Sequence, residues 1–227
     1  MSGYAGTLNL VQMRSYRPQW KWEKMIGSSA CLKWGFRDLR HLDIVLKRVP
    51  GRDVAVQAGG NLGLFPKRLA EEFKVVHAFE PSEPLFNAMK HNAPEPNIVA
   101  HHAALGFDRD PVSVVCKRRD DSGRAVHEGL THIGSAPGDV KQIRIDDLNL
   151  EACDLIYLDI EGWELNALRG AAETVDKFRP AISVEINRNI AYYGKTATDV
   201  RRWFYDHQYA RVLTMDSDEL FVHGSNL

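Results

Sequence analysis

The sequence predicts an α/β fold, in which a mostly parallel sheet is covered by helices on both faces. Three observations support this. Short apolar strands alternate with amphipathic helices, a glycine-rich turn follows the first strand, and acidic residues close later strands. The length of 227 residues suits one domain with or without an appendage, and a hydrophobic content of 44% can form a core. We expect residues 1–35 to form an N-terminal cap or arm and residues 36–227 to form the α/β domain.

Helices and strands are expected to alternate from residue 36 onward. The first helix, 36–48, has apolar residues at helical spacing and ends at Pro50-Gly51. Strands are expected at 53–57, 74–80, 97–104, 111–118, 140–145, 154–160, 181–186, 210–214 and 219–223, and further helices at 62–72, 84–92, 164–177 and 198–207. Residues 120–139 have little apolar periodicity, which predicts a long loop of the kind that is often functional.

Charge and cysteine usage narrow the class of protein. The net charge of −1 gives no global argument for a nucleic-acid partner. Residues 14–37 nevertheless interleave aromatic and basic side chains, which suits either a nucleic-acid-binding arm or, as we favour, a cap over the domain. The three cysteines form no CxxC pair, and no apolar run approaches the ~20 residues of a membrane span. We therefore expect a cytoplasmic protein with reduced thiols and no membrane contact.

A glycine-rich turn, Ala58–Gly63, follows the first predicted strand. Gly59, Gly60 and Gly63 allow the backbone to turn sharply and to approach a ligand without an intervening Cβ. Glu80 closes the second strand, where an acid accepts hydrogen bonds from a ribose diol in nucleotide-binding sheets. Together these residues predict a ribose-containing ligand at the carboxyl ends of the strands.

The turn by itself does not distinguish NAD from S-adenosylmethionine. The dinucleotide pattern GxGxxG would need glycine at Ala58. S-adenosylmethionine has no phosphate and carries an ammonium, a carboxylate and a sulfonium, so it favours polar side chains beside the turn. Gln57 and Asn61 could supply them.

Acidic residues close two later strands. Asp159 and Glu161 follow one apolar strand and Glu185 closes the next, so they should converge at the edge of the sheet beside the ligand. Clustered carboxylates can act as a general base or hold a divalent metal through oxygen ligands. A histidine of the long loop, His127 or His132, is a second candidate for the base.

Several stretches match a known family in order and spacing from about residue 53 to residue 187. They are VAVQAGGNLGLF, VVHAFEPSEPLFNAMKHN, IVAHHAALG, IRIDDL, DLIYLDIEGWELNALRGA and RPAISVEIN. The chain thereby resembles the FkbM-type S-adenosylmethionine-dependent methyltransferases. The resemblance implies a Rossmann-like class I methyltransferase fold with a mostly parallel seven-stranded sheet. It also implies an O-methyltransferase acting on hydroxyls of sugars, polyketides or lipids.

The resemblance implies roles at matching positions. The methionine part would lie against the glycine turn, the ribose against the end of the second strand, and the adenine beside the end of the third. The residues at these places are, in the same order, Gly59, Asn61 and Gly63; Glu80, Pro81 and Ser82; His102 and Ala103. Asp159 and Glu161 would face the transferred methyl group and the acceptor, with Asp159 also beside the cofactor.

Gln57 departs from the family pattern, which usually has an acid at this position. Its amide could still hydrogen-bond the cofactor, but without a charge to pair with the ammonium, so we expect weaker binding. A non-catalytic protein that kept the fold is therefore one alternative. A nucleic-acid methyltransferase using residues 14–37 is another, although no DPPY-like or NPPF-like motif for amino-group methylation is present.

The expected reaction is in-line methyl transfer from the sulfonium to a hydroxyl of a sugar, glycan or other small molecule. Holding donor and acceptor together would supply most of the rate enhancement, and Asp159 or a loop histidine would take the proton. Mg²⁺ held by Asp159 and Glu185 could instead activate the acceptor. We favour a metal-free reaction and assign no metal ligands.

Overall fold

The elements of the chain are taken from a computed structural model, which describes residues 29–116 and 131–227. Its helices are α1 (Ser29–Leu46), α2 (Leu64–Ala70), α3 (Glu83–Asn92), α4 (Glu164–Arg169), α5 (Ala172–Phe178) and α6 (Ala197–Asp206). Its strands are β1 (Val54–Ala58), β2 (Val75–Phe79), β3 (Ile98–His101), β4 (Ala104–Leu105), β5 (Val112–Cys116), β6 (Thr131–Pro137), β7 (Gln142–Ile143), β8 (Leu155–Leu158), β9 (Ala181–Glu185), β10 (Tyr209–Met215) and β11 (Asp218–His223). Short 3₁₀ helices cover Ile145–Leu148, Arg188–Tyr193 and Gly224–Asn226.

The central sheet has seven strands in the order β3-β2-β1-β8-β9-β11-β10. The pairs β1–β2, β2–β3, β1–β8 and β8–β9 are parallel, whereas β11 is antiparallel to both β9 and β10. The chain runs outward from β1 to β3 and later returns to β8 on the other side of β1. Ligands bind at such a switch point in open α/β sheets. The expected α/β fold with a mostly parallel seven-stranded sheet is confirmed.

Helices cover both faces of this sheet because its strands are apolar on both faces. In β8, Leu155 and Tyr157 face the cluster that contains α1, α2 and α3, while Ile156 and Leu158 face the cluster that contains α4, α5 and α6. Successive residues of a strand point to opposite faces, so a run of four buried apolar residues needs a cover on each side. The continuous apolar pattern read from the sequence thus fixes the layering.

The first helix is longer than expected. We predicted a start at Phe36, but α1 begins at Ser29 and crosses the boundary at 35/36 that we placed between arm and domain. Gly35 lies so close to α2 that an added Cβ would be 2.5 Å from Leu64 Cδ1. Packing against α2 therefore continues the helix through residues whose spacing alone did not predict it.

The helix expected at 164–177 is two helices. Helix α4 ends at Arg169 and α5 begins at Ala172, with Gly170 between them. A Cβ added at Gly170 would lie 1.8 Å from the carbonyl oxygen of Gly106, so the backbone here passes directly against another loop. This tertiary contact divides a segment whose periodicity is continuous.

Two expected strands are shorter than predicted, and part of the expected loop is a strand. The segment 97–104 divides into β3 and β4, and β4 pairs with β7 in a separate two-stranded sheet. The strand expected at 140–145 is reduced to β7. Residues 131–137 of the expected loop 120–139 form β6, which pairs antiparallel with β5. Residues 120–130 of that loop lie outside the described residues.

None of the described helices is both long enough and apolar enough to span a membrane.

Candidate functional site

The candidate site is a cleft at the carboxyl ends of β1, β2, β8 and β9, with a volume of about 380 Å³. The glycine turn and Glu80 line it on the side of β1 and β2, and Asp159, Glu161 and Glu185 line it on the side of β8 and β9; these two sides are its two ends. The residues that we singled out on separate strands are therefore brought into one cavity. Its size falls in the range of small-molecule pockets.

The glycine turn is held by the protein's own packing. Gly59 has a φ of 84°, and an added Cβ would lie 1.9 Å from the carbonyl oxygen of Asp159. At Gly60 an added Cβ would lie 2.3 Å from Met89 Sδ. The backbone N–H groups of Gly59 and Gly60 donate to the carbonyl of Phe79 at 3.2 and 2.9 Å. The turn is thus packed tightly between the end of β8 and α3, and it is hydrogen-bonded to the end of β2.

Gln57 lies behind this turn rather than in the cleft. Its side chain is fully buried and does not line the cavity. Its Nε2 donates to the carbonyls of Ala58 and Gly59, both at 3.0 Å, while its Oε1 is buried without a hydrogen bond. We expected Gln57 to reach the cofactor directly, but the structure places its amide against the backbone of the turn. Gly63, with φ 87°, also supports the turn from outside the cavity.

Glu80 is an almost fully buried carboxylate that joins the turn to the end of β2. Its Oε2 accepts from the N–H of Asn61 at 2.7 Å and its Oε1 accepts from the N–H of Ser82 at 2.9 Å. Burial raises the pKa of Glu80 to about 7, although these two hydrogen bonds act in the opposite direction. Pro81 lines the cleft beside Glu80, whereas Ser82 is buried at the start of α3 and does not line it.

The end of β3 contributes one of its two expected residues to the cleft. Ala103 lines the cavity. His102 is exposed outside it, with its Nε2 3.1 Å from the carbonyl oxygen of Pro81 and its ring stacked on Phe86 at a centroid distance of 5.1 Å. His102 therefore supports the Pro81 wall from behind rather than forming the surface of the cleft.

Three half-buried carboxylates converge at the other end. Oxygen atoms of Asp159, Glu161 and Glu185 lie within 4.8 Å of one another. Burial, followed by the charges of Glu185 and Glu161, holds the pKa of Asp159 well above its ordinary value. Burial and the charge of Glu185 raise the pKa of Glu161 to about 7, and burial also raises the pKa of Glu185. These carboxylates repel one another where water screens them poorly, so the cluster retains protons near neutral pH.

The distances in this cluster would also allow a divalent ion. These distances do not by themselves show a metal site, and we assign no metal here. Glu164, the first residue of α4, does not belong to the cluster. Its Oε1 accepts from the N–H groups of Ile160 and Gly162 at 3.1 and 3.2 Å, so it shapes the loop from the core. Burial raises the pKa of Glu164 to about 8.

A model of the Methyltransferase FkbM domain matches residues 53–211, which is most of the chain. The chain belongs to the FkbM methyltransferase family. The expectation drawn from the sequence motifs is thereby confirmed, and the match includes the glycine turn, Glu80 and the acidic cluster. No curated protein matches the chain.

Solved structures show the same fold. A crystal structure of methyltransferase FkbM from Methylobacillus flagellatus KT is similar with a TM-score of 0.52 and 14% identity, covering 84% of this chain and 60% of that one. This chain thus spans about 60% of the length of that relative. A crystal structure of ribosomal protein L11 methylase from Lactobacillus delbrueckii subsp. bulgaricus gives a TM-score of 0.50 at 10% identity, covering 83% and 79% of the two chains. The chain has the class I S-adenosylmethionine-dependent methyltransferase fold.

The cleft also has lining residues that we did not predict from the sequence. Gly35 and Asp38 of α1 line the cleft. Helix α1 is held in place by His41, whose Nδ1 lies 2.7 Å from Asp218 Oδ2. The hydrogen bond with Asp218 raises the pKa of His41. Asp38 carried no signal except its place on the polar side of an amphipathic helix, which is the place of most surface acids.

The β5–β6 hairpin supplies a further wall. Thr131, His132 and Ile133 line the cleft, and His132 stacks on Tyr192 at 5.7 Å. His132, which the sequence offered as a candidate base, thus lies in the cavity, and its role as a base stays a prediction. His127, the other histidine that we named, lies outside the described residues. Tyr193 fixes the hairpin by donating from its hydroxyl to the carbonyl of Ile133 at 3.0 Å.

Proposed function

We propose that this protein transfers a methyl group from S-adenosylmethionine to a hydroxyl of a sugar, glycan or other small molecule. One observation carries the proposal: a single cavity joins the glycine turn and Glu80 to the carboxylates at the ends of β8 and β9. A methyl donor at the first end would present its reactive carbon towards the second. Such alignment of donor and acceptor is the main source of catalysis in a direct displacement.

The cofactor end fits S-adenosylmethionine by its donor set and its shape. Gly59 and Gly60 have no side chains, so the backbone of the turn can lie close to the methionine part of the ligand. Each oxygen of Glu80 already accepts one backbone N–H and keeps further acceptor capacity for a ribose diol. Bound S-adenosylmethionine would supply an electrophilic methyl group on a sulfonium.

The acceptor end favours an uncharged hydroxyl over a phosphate-bearing substrate. Among the described residues, the lining of the cleft includes five carboxylates, namely Asp38, Glu80, Asp159, Glu161 and Glu185, and no lysine or arginine. Proteins bind the phosphates of nucleic acid through basic side chains, which this lining lacks, and each carboxylate that is ionised would repel a phosphate. Carboxylates do accept hydrogen bonds from hydroxyl groups and can take a proton from them.

The proposal is tested first by calorimetry with S-adenosylhomocysteine and then by methyl transfer. We expect saturable binding of S-adenosylhomocysteine, and transfer of labelled methyl from S-adenosylmethionine to one or more of a panel of neutral monosaccharides and polyols. Absence of binding at millimolar S-adenosylhomocysteine would indicate instead a non-catalytic protein that kept the fold. Labelling of RNA or DNA, with binding that weakens steeply with salt, would favour the nucleic-acid alternative.

A further inference from the structure

Two asparagines from one segment are hydrogen-bonded to two of the clustered carboxylates. Asn187 Nδ2 donates to Glu185 Oε2 at 2.5 Å, and Asn189 Nδ2 donates to Glu161 Oε2 at 2.5 Å. The N–H of Asn189 in turn donates to Asn187 Oδ1 at 2.8 Å. A continuous chain of hydrogen bonds therefore joins the end of β9 to the loop after β8, through two asparagines that do not themselves line the cleft.

Backbone packing holds Asn189 at this place. A Cβ added at Gly162 would lie 2.5 Å from the carbonyl carbon of Asn189, so the loop after β8 is pressed directly against the asparagine. Glu161, which precedes that glycine, has a φ of 56°, an uncommon conformation for a residue with a side chain. A strained backbone that is fixed by its neighbours is typical of functional positions. The side chain of Glu161 is thus aimed by both its backbone and Asn189.

The two glutamates of the cluster differ in the oxygens that remain available. Glu185 has both oxygens engaged, because Asn187 donates to Oε2 and Ser217 Oγ donates to Oε1 at 3.1 Å. Asp159 also forms a hydrogen bond with Glu185. Glu161 is different, because its Oε2 is taken by Asn189 and no described residue donates to its Oε1. Glu161 therefore presents one available oxygen in the cleft.

We propose that Glu161 is the proton acceptor of the reaction and that Asn189 is its positioning residue, which fixes the oxygen that takes the proton. This inference rests on the proposed function. In the transfer, the acceptor hydroxyl gives its proton to Glu161 Oε1 as its oxygen bonds to the methyl carbon. The carbon–sulfur bond breaks, and its electron pair stays on sulfur as the neutral thioether.

The charges around Glu161 support its role as the proton acceptor and distinguish it from Asp159. Burial and the charge of Glu185 hold the pKa of Asp159 well above its usual range, and Asp159 shares a hydrogen bond with Glu185 rather than standing free in the cleft. The pKa of Glu161 is about 7, so a large fraction is ionised and able to accept a proton. The titratable groups that face Glu161 or share its cleft are Asp159, Glu185, Tyr193, Asp38 and His132.

The test follows the titration of Glu161 in the full, ligand-free chain by NMR of carboxyl-labelled glutamate, with the signal identified by its loss in Glu161→Gln. Asn189→Leu removes the hydrogen bond at similar size and should raise the midpoint by about one pH unit. Asn189→Asp adds a negative charge and should raise it further, whereas Asn189→Ser keeps a donor and should stay nearer to wild type. Arg188→Gln, an exposed neighbour, is the matched control and should leave the midpoint unchanged.

The affinity for S-adenosylhomocysteine should remain within about twofold in Asn189→Leu, because Asn189 does not line the cleft. In labelled transfer to the panel acceptors, the rise of the rate with pH should move up with the NMR midpoint. Glu161→Gln should abolish transfer while S-adenosylhomocysteine still binds. An unchanged midpoint in Asn189→Leu, or an equal change in Arg188→Gln, overturns the role of Asn189. Transfer that survives Glu161→Gln but not Asp159→Asn overturns the role of Glu161.

These results are separable from the proposed function. The titration needs neither cofactor nor acceptor, so it reports on Asn189 alone. A wild-type protein that fails to bind S-adenosylhomocysteine refutes the methyltransferase proposal, whatever the titration gives.

Discussion

The two ends of the cleft are held in place by different forces. At the cofactor end, the glycine turn lies directly against the Asp159 carbonyl and the Met89 side chain, and the two oxygens of Glu80 accept from the N–H groups of Asn61 and Ser82. At the acceptor end, like-charged carboxylates are held together by asparagine and serine donors. The cofactor end is therefore a stretch of backbone fixed by tight packing. The acceptor end is a group of acidic side chains that repel one another.

The difference predicts which property each end controls. Substitutions at the turn should act on folding and cofactor affinity, because an added Cβ would collide with the Asp159 carbonyl oxygen at Gly59 and with Met89 Sδ at Gly60. Substitutions among the carboxylates should act on protonation and chemistry, because removing one relieves repulsion while leaving the packing in place.

The largest effect is expected at Gly59. Gly59→Ala should lower the free energy of unfolding by about 3 kcal/mol or more, because it combines a positive φ with a collision against the Asp159 carbonyl. Gly194→Ala is the matched control, since Gly194 also has a positive φ but nothing within 4 Å of an added Cβ. It should cost only about 1 kcal/mol. Urea denaturation measures both, and equal losses would show that the close contact at Gly59 is unimportant.

A smaller effect is expected at Glu80. Glu80→Gln should weaken binding of S-adenosylhomocysteine more than tenfold, which is about 1.4 kcal/mol, because an amide replaces an acceptor pair beside the ribose position. Glu83→Gln makes the same change three residues later on the exposed side of α3 and should leave the affinity unaltered. Calorimetry compares the two. Equal affinities would remove Glu80 from the cofactor site.

Stability should fall as the pH rises from about 6.5 to 8. The raised pKa values of Glu80 and Glu161, about 7, and of Glu164, about 8, mean that the folded state keeps protons that the unfolded state has already released. This stabilisation is fully present at pH values below the ordinary glutamate pKa. It is lost as the pH rises through the pKa values of the folded protein. We expect a fall of more than about 1 kcal/mol per pH unit.

Denaturation at pH 6.5, 7 and 8 measures this slope. Glu161→Gln should reduce it, because one group of the acceptor end no longer titrates, and Glu83→Gln should not. A stability that is flat or that rises across this range would contradict the raised pKa values at both ends of the cleft.

The smallest expected effect is that of Mg²⁺. If the carboxylates act through protons, then millimolar Mg²⁺ or a chelator should leave the melting temperature and labelled methyl transfer unchanged. A rise in melting temperature that disappears in Glu161→Gln would instead assign the acidic cluster to a metal. This experiment decides whether the carboxylates of the acceptor end act by exchanging protons or by binding a metal ion.

Local patterns predicted most of the central sheet because its strands carry their own signals. The apolar runs of β1, β2, β8 and β9 were recognisable without partners. β6 was missed because its sequence, THIGSAP, has no alternation and takes its hydrogen bonds from β5. The break at Gly170 was missed for a similar reason, since it is imposed by the loop at Gly106.

Within the site, the acidic residues at strand ends could be predicted from the sequence. The residues that contact them or share their cleft could not. Asp159, Glu161 and Glu185 could be placed together because parallel strands end at one edge. Asn189 and Asp38 could not, since a 3₁₀ segment and the polar side of a helix give no signal of what they face. Gln57 stood out as the break in the family pattern, but its burial behind the turn is a property of packing.

The family, the parallel sheet and the strand ends at which the polar residues gather could be read from the sequence, because they follow from short-range patterns along the chain. The hydrogen-bond partner of each polar atom depends instead on how distant segments pack together. That Gln57 serves the turn, that α1 closes the cleft, and that Asn189 leaves Glu161 one available oxygen are consequences of distances between segments far apart in sequence.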